Sequence, residues 1–251
     1  MTDGRIGARR LEWQRAEVRE IIVETPRVKT ILVHVSNWRG HLPGQHVDIR
    51  LTAQDGYQAQ RSYSIASAPE DELVALTVVH VDNGEVSPYL HGELRIGDQF
   101  ELRGPIGGYF VWTTAVGAPL QLIGGGSGVA PLMAMLRHRD RCDDHGPAML
   151  LYSSRSVEEI IYREELDAMA RRDHDLRVFN TLTSKQPEGW SGYGRRIDKS
   201  MLEESCFPPE ARPRSFVCGP TPFVESASRL LVALGHDPLS IKTERFGPTG
   251  A

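Results

Sequence analysis

The chain has 251 residues, 40% of them apolar and 25% charged, which suits a globular protein of one large or two modest domains and excludes a disordered chain. Its formal net charge of −4 excludes a nucleic-acid binder that works by phosphate neutralisation, since that needs a clustered basic excess.

From the N-terminal side, the first half alternates at period two, as half-buried strands do. Ile31, Val33 and Val35 alternate around Leu32 and His34, and Val47, Ile49 and Leu51 alternate with His46, Asp48 and Arg50. Turn chemistry at 37–40, Pro43-Gly44, Asp55-Gly56, Asp82-Asn83-Gly84 and Gly97-Asp98 separates short strands and predicts a small antiparallel barrel. No long helix is expected before position 116. Beyond Gly117 buried apolar runs alternate with helix-length amphipathic segments. They predict strands at 120–123, 148–152, 176–182, 215–218 and 241–246, with helices over 129–139, 157–172 and 222–234. A parallel sheet with helices on both faces follows. The boundary is expected near 113–119, giving domains 1–116 and 117–251.

The three cysteines, Cys142, Cys206 and Cys218, are scattered, so neither a metal or iron–sulfur site nor a disulfide framework is expected. Residues 1–10 are polar and arginine-rich, unlike a signal peptide, and no apolar run approaches the roughly 18–20 residues of a membrane span. A soluble, cytoplasmic protein without membrane insertion is expected. Nothing in the sequence indicates an oligomeric state.

Four motifs carry chemistry. In Leu-Ile-Gly-Gly-Gly-Ser-Gly-Val-Ala-Pro (122–131) a buried strand enters a helix through glycines, which let backbone approach a phosphate whose charge the helix N–H groups favour. The spacing is not G-x-G-x-x-G with an acidic residue about twenty positions on, and a merely tight turn is the alternative. Arg61-Ser62-Tyr63-Ser64 offers a fork for a diphosphate, a ring for a flat ligand and a hydroxyl for a ring nitrogen; an edge strand with a surface arginine is the alternative. Gly84-Glu85-Val86-Ser87 places a turn and a serine before a short helix, which an N-cap would also explain. Val217-Cys218-Gly219-Pro220 ends a strand where open α/β sheets bind ligands, although a strand cysteine also serves as core filling.

Together and in this order, these motifs resemble the ferredoxin–NADP reductase family, particularly the flavin and nicotinamide modules of bacterial oxygenase reductases and flavohaemoglobins. The resemblance runs from Glu12 to Phe246. It implies an antiparallel FAD-binding β-barrel followed by a parallel-sheet, Rossmann-like NAD(P)-binding domain. It implies that Arg61, within the flavin-binding run that includes Ser62, contacts the FAD pyrophosphate, that Tyr63 packs on the isoalloxazine, and that Ser64 approaches flavin N5. Val79, His80 and Val81 would line the flavin through backbone contacts. Gly84, Val86 and Ser87 match the second pyrophosphate turn. Gly125, Gly126, Ser127 and Gly128 match the nicotinamide-side phosphate loop, and Cys218, Gly219 and Pro220 the segment beside the nicotinamide. Glu244-Arg245-Phe246-Gly247 resembles the closing acidic-x-aromatic pattern, where Phe246 would shield the flavin; packing of the last strand is the equal alternative.

By the same resemblance the cofactors supply the redox chemistry, so no side-chain nucleophile is needed. Ser64 and Glu244 would polarise or orient the flavin and Cys218 would position the nicotinamide, with His80 structural or at the flavin edge. Ser153-Ser154-Arg155-Ser156 suits a 2′-phosphate held by Arg155, so NADPH is expected over NADH, although Thr183-Ser184-Lys185 stands where NADP-using relatives often show an arginine. Oxygenase reductases commonly fuse an iron–sulfur domain. This sequence ends five residues after Phe246 without a cysteine cluster, so the expected acceptor is a ferredoxin or another one-electron partner on a separate chain. Reduction of a small flavin or quinone, or a regulatory flavin subunit, are the alternatives.

Overall fold

In a computed structural model the described residues are 11–113, 118–142 and 146–246. Strands β1 (Gln14–Thr25), β2 (Val28–Val35), β3 (His46–Thr52), β4 (Gln58–Ser64), β5 (Val74–Val79) and β6 (Gln99–Ile106) form an antiparallel sheet in the order β4-β3-β6-β1-β2-β5. The outer strands meet where Ile65 bridges Leu76 and the Ala66 N–H donates to the Ala75 carbonyl at 2.8 Å, closing the sheet into a barrel. Ile31, Val33, Val35, Val47 and Ile49 point into its core with Leu76, Val78, Phe100 and Leu102, as the alternation predicts. Asp48 is buried on the opposite face of β3, where Ser62 Oγ and Arg103 Nη2 each donate to its carboxylate at 2.7 Å. The one helix of this half among the described residues is the short α1 (Ser87–Gly92).

The second sheet is parallel, built from β7 (Leu120–Gly125), β8 (Ala148–Ser154), β9 (Leu176–Leu182), β10 (Arg214–Pro220) and β11 (Ile241–Phe246) in the order β11-β10-β7-β8-β9. Helices α2 (Val129–Asp140) and α3 (Arg163–Arg172) cover one face, packing Leu132, Met135, Leu166 and Met169 on Leu122, Leu150 and Phe216. Helices α4 (Lys199–Ser205) and α5 (Thr221–Ala233) cover the other, packing Met201, Leu202, Val224 and Leu231 on Ile123, Leu151 and Val217. Burial on both faces is why the inner strands β7 and β8 read as nearly continuous apolar runs. Strand order reverses between β7 and β10, the point at which such sheets take ligands.

The helix expected over 157–172 is broken. A single 3-10 turn spans Val157–Glu159, Tyr162 adopts a left-handed φ of 59°, and α3 starts only at Arg163. The cause is tertiary: the Tyr162 hydroxyl is hydrogen-bonded to Thr77 of β5, and its N–H donates to Glu24 at 3.3 Å, which holds this stretch against the barrel. Arg137 of α2 ties the same two layers, donating to the Ala66 carbonyl at 2.8 Å and forking onto Glu165 at 2.8 and 2.6 Å. Phe110 packs edge-on against Phe216 of β10, ring centres 5.4 Å apart, so the barrel and the parallel sheet share one apolar cluster. The expected division at 116/117 lies outside the described residues. No helix among them is long and apolar enough to cross a membrane.

Candidate cofactor-binding site

Along β4 alternate side chains face opposite ways, so Arg61 and Tyr63 share one face, and Ser62 and Ser64 the other. Ser62 is spent on Asp48. Tyr63 packs against the barrel core, and burial pushes its phenol up to about 12, leaving it neutral at working pH. Ser64 Oγ is buried without a hydrogen-bond partner, so its bond is free for a bound group. Arg61 reaches across to the turn before α1, where its Nη2 donates to Glu85 Oε2 at 2.5 Å. The two motifs, distant in sequence, meet through this pair.

Within that turn the Gly84 N–H donates to the Val81 carbonyl at 2.9 Å and Ser87 Oγ accepts from the Val81 N–H at 3.1 Å. Ser87 is the first residue of α1 and Val86 its N-cap, so the serine braces the turn and does not cap the helix. The backbone of His80 is also engaged: its N–H donates to the Arg27 carbonyl at 2.8 Å and its carbonyl accepts from Arg27 Nη2 at 3.0 Å. Its ring stands 3.3 Å from Asp82, a structural setting. Val79 closes β5 half-buried and Val81 is exposed.

At the switch point β7 runs through the turn Gly126–Gly128 into α2. The start of α2 has no side-chain cap and no acidic residue in its first turn; its Val129 N–H is taken by the Gly126 and Ser127 carbonyls and Pro131 carries none, so the helix end favours an anion mainly through its dipole. Gly126, at φ +54°, has open space where a side chain would be. A Cβ on Gly128 would collide with the backbone carbonyl of Cys218, and one on Gly125 would lie 3.0 Å from the Phe223 ring. The glycine loop and the segment Cys218, Gly219, Pro220 therefore pack together, with Gly126 exposed and Ser127 half-buried in the turn. Gly128→Ala should cost about 2 kcal/mol of stability by overpacking, read as a lower denaturant midpoint; an unchanged midpoint would contradict the contact.

Cys218 lies fully buried near the C-terminal end of β10, beside Glu244 in the β10–β11 register. Burial, and then the Glu244 carboxylate, raise its thiol well above the usual value, so it stays protonated and is no nucleophile. The Glu244 carboxyl is pushed up to about 7 by burial. Phe246 ends β11 opposite Pro220 and packs partly buried against the cluster that holds Cys218; Gly247 lies outside the described residues. After β8 the Arg155 carbonyl accepts the N–H groups of Ser184 and Lys185, each at 3.0 Å, which sets the 153–156 and 183–185 loops side by side.

The family models described as oxidoreductase FAD-binding domain and oxidoreductase NAD-binding domain match residues 17–111 and 122–229. NADH-cytochrome b5 reductase 1 of Kluyveromyces lactis is 30% identical over 234 residues, covering 87% of this chain and 82% of that one. The chain belongs to the ferredoxin–NADP reductase family. A second member, the glycine betaine monooxygenase reductase subunit of Pseudomonas aeruginosa, is 32% identical over 214 residues; the match covers 82% of this chain and 56% of that relative's length. The FAD/NAD-binding domain of nitric oxide dioxygenase from Vibrio cholerae has the same fold, with a TM-score of 0.82 at 25% identity over 94% of this chain and 99% of that one.

As in the ferredoxin–NADP reductase family at large, the cofactors are FAD and a nicotinamide dinucleotide, and the residues present fit them. The unpartnered hydroxyl of Ser64 suits a flavin heteroatom, and the open glycine turn with the uncapped α2 suits a dinucleotide phosphate. Two clefts, of about 870 and 440 Å³, are lined by none of the residues assigned to cofactors from sequence. Three residues of the site had no role assigned from sequence: Glu85, which meets Arg61 through barrel closure, Tyr57, which donates to that same carboxylate, and Phe223, whose ring lies under Gly125 and Gly219.

Proposed function

We propose that this member of the family is an NADPH-dependent reductase that delivers electrons to a separate redox protein, a ferredoxin or another one-electron carrier. The observation that carries the proposal is the packing of the Gly125–Gly128 turn on Cys218 and Gly219 at the switch point, beside a barrel that keeps a buried hydroxyl unpaired at Ser64. In this account residues 1–116 hold FAD and residues 117–251 the nicotinamide dinucleotide. Bound FAD supplies hydride acceptance and one-electron release. The chain itself binds and orients: Arg61 takes the diphosphate, Tyr63 lies on the ring, Ser64 hydrogen-bonds the flavin edge, and Gly84, Val86 and Ser87 shape the turn behind it. Gly125 to Gly128 receive the dinucleotide phosphate, Cys218 to Pro220 border the nicotinamide, Glu244 presents its carboxyl there, and Phe246 covers the flavin.

The names of the relatives, a monooxygenase reductase subunit and a cytochrome b5 reductase, support a protein acceptor. Steady-state NADPH oxidation by FAD-loaded protein should run faster with ferredoxin than with free FMN or a quinone; the reverse order would contradict the partner assignment. The preference for NADPH rests on Arg155, brought beside Lys185. Arg155→Ala should cut kcat/KM for NADPH by about five- to tenfold and leave NADH unchanged, the size expected of one exposed charge-assisted contact. An unchanged ratio would remove the phosphate role.

A further inference from the structure

We propose that Glu85 sets the affinity for FAD, because its carboxylate holds the guanidinium that must be released to grip the diphosphate. This rests on the assignment of Arg61 to the FAD diphosphate. Among the described residues Arg61 has two hydrogen-bond partners: Nη1 donates to the Gln60 carbonyl at 2.6 Å and Nη2 to Glu85 Oε2 at 2.5 Å. The Tyr57 hydroxyl donates to the other carboxylate oxygen, Oε1, and so pins the acid from the far side. The turn beneath is braced by the Gly84–Val81 and Val81–Ser87 hydrogen bonds, so the carboxylate is presented to Arg61 from a fixed loop. A diphosphate arriving at Arg61 meets a negative group already seated there, inside the turn that is itself assigned to phosphate. It must break the Arg61–Glu85 pair and tolerate a like charge nearby. Glu85 also borders the cleft of about 440 Å³ formed with Arg50, Tyr57, Tyr89 and Glu101, which leaves the displaced side chain room to turn away.

A double-mutant cycle tests this, using the flavin-depleted full chain titrated with FAD and read by quenching of flavin fluorescence. Glu85→Gln keeps the shape and the bond from Tyr57 but removes the charge; it should tighten FAD binding by about three- to tenfold, as expected for releasing one exposed pair and one repulsion. The gain should shrink to less than about twofold in an Arg61→Ala background and be absent for riboflavin, which has no phosphate. Matching circular dichroism spectra and unfolding midpoints check that each variant folds. Unchanged or weaker FAD binding by Glu85→Gln would overturn the proposal, as would a gain of the same size without Arg61. If Arg61→Ala alone leaves FAD affinity unaltered, the diphosphate assignment itself fails.

Discussion

Glu244→Gln should make the protein more stable at neutral and alkaline pH, by roughly 2–3 kcal/mol, and leave it unchanged near pH 4. Burial at the end of β11 raises the folded-state carboxyl to about 7 from an ordinary 4.5. One pKa unit corresponds to about 1.4 kcal/mol, and the residual exposure of the side chain trims the total. The sign follows from linkage. The folded chain keeps this proton where the unfolded chain gives it up, so the stabilisation is complete below about pH 4.5 and is lost as pH rises toward 7. Glutamine stays neutral throughout and does not suffer that loss. Urea unfolding of both proteins at pH 4.5, 6 and 8 checks it; parallel stability curves would show that the carboxyl is not titrating in this window. Because the same carboxyl faces the assigned nicotinamide segment, the KM for NADPH should also carry an apparent pKa near 7 in the native enzyme and lose it in Glu244→Gln.

Arg61→Ala should weaken FAD binding by about 10- to 100-fold while leaving riboflavin binding within about twofold. The range follows from hydrogen bonds to a charged group, about 1.5–3 kcal/mol, at 1.4 kcal/mol per decade of affinity. Competition from Glu85 places the expected value nearer tenfold. The loss should diminish at high salt, since the contact is exposed and electrostatic. Equal losses for FAD and riboflavin would mean that Arg61 supports the barrel and not the diphosphate.

Most of the fold was legible because both halves announce their period. Alternation at 31–35 and 46–51 marked the barrel strands, and the apolar runs at 120–123 and 148–152 marked strands covered on both faces. Strand β1 escaped because register shifts after Val18 and Val23 break the two-residue period, leaving Ile21, Ile22 and Val23 as a run. Helix α4, at seven residues, is too short to show a 3.6-residue period, although Asp198 caps it by accepting the Met201 N–H at 2.9 Å. The start of α3 was misplaced because hydrogen bonds to Thr77 and Glu24, both remote in sequence, fix Tyr162. In the site, motifs were visible one by one but their meeting was not. The Arg61–Glu85 pair and the contact of Gly128 with Cys218 come from barrel closure and strand order, which no local pattern encodes.

The most direct test of the central assignment is the visible absorption of FAD-loaded protein under anaerobic conditions before and after NADPH is added. The oxidised flavin band should bleach on mixing, and NADH should bleach it more slowly. A protein that cannot be loaded with FAD, or a loaded protein whose flavin stays oxidised with both nucleotides, would contradict the account.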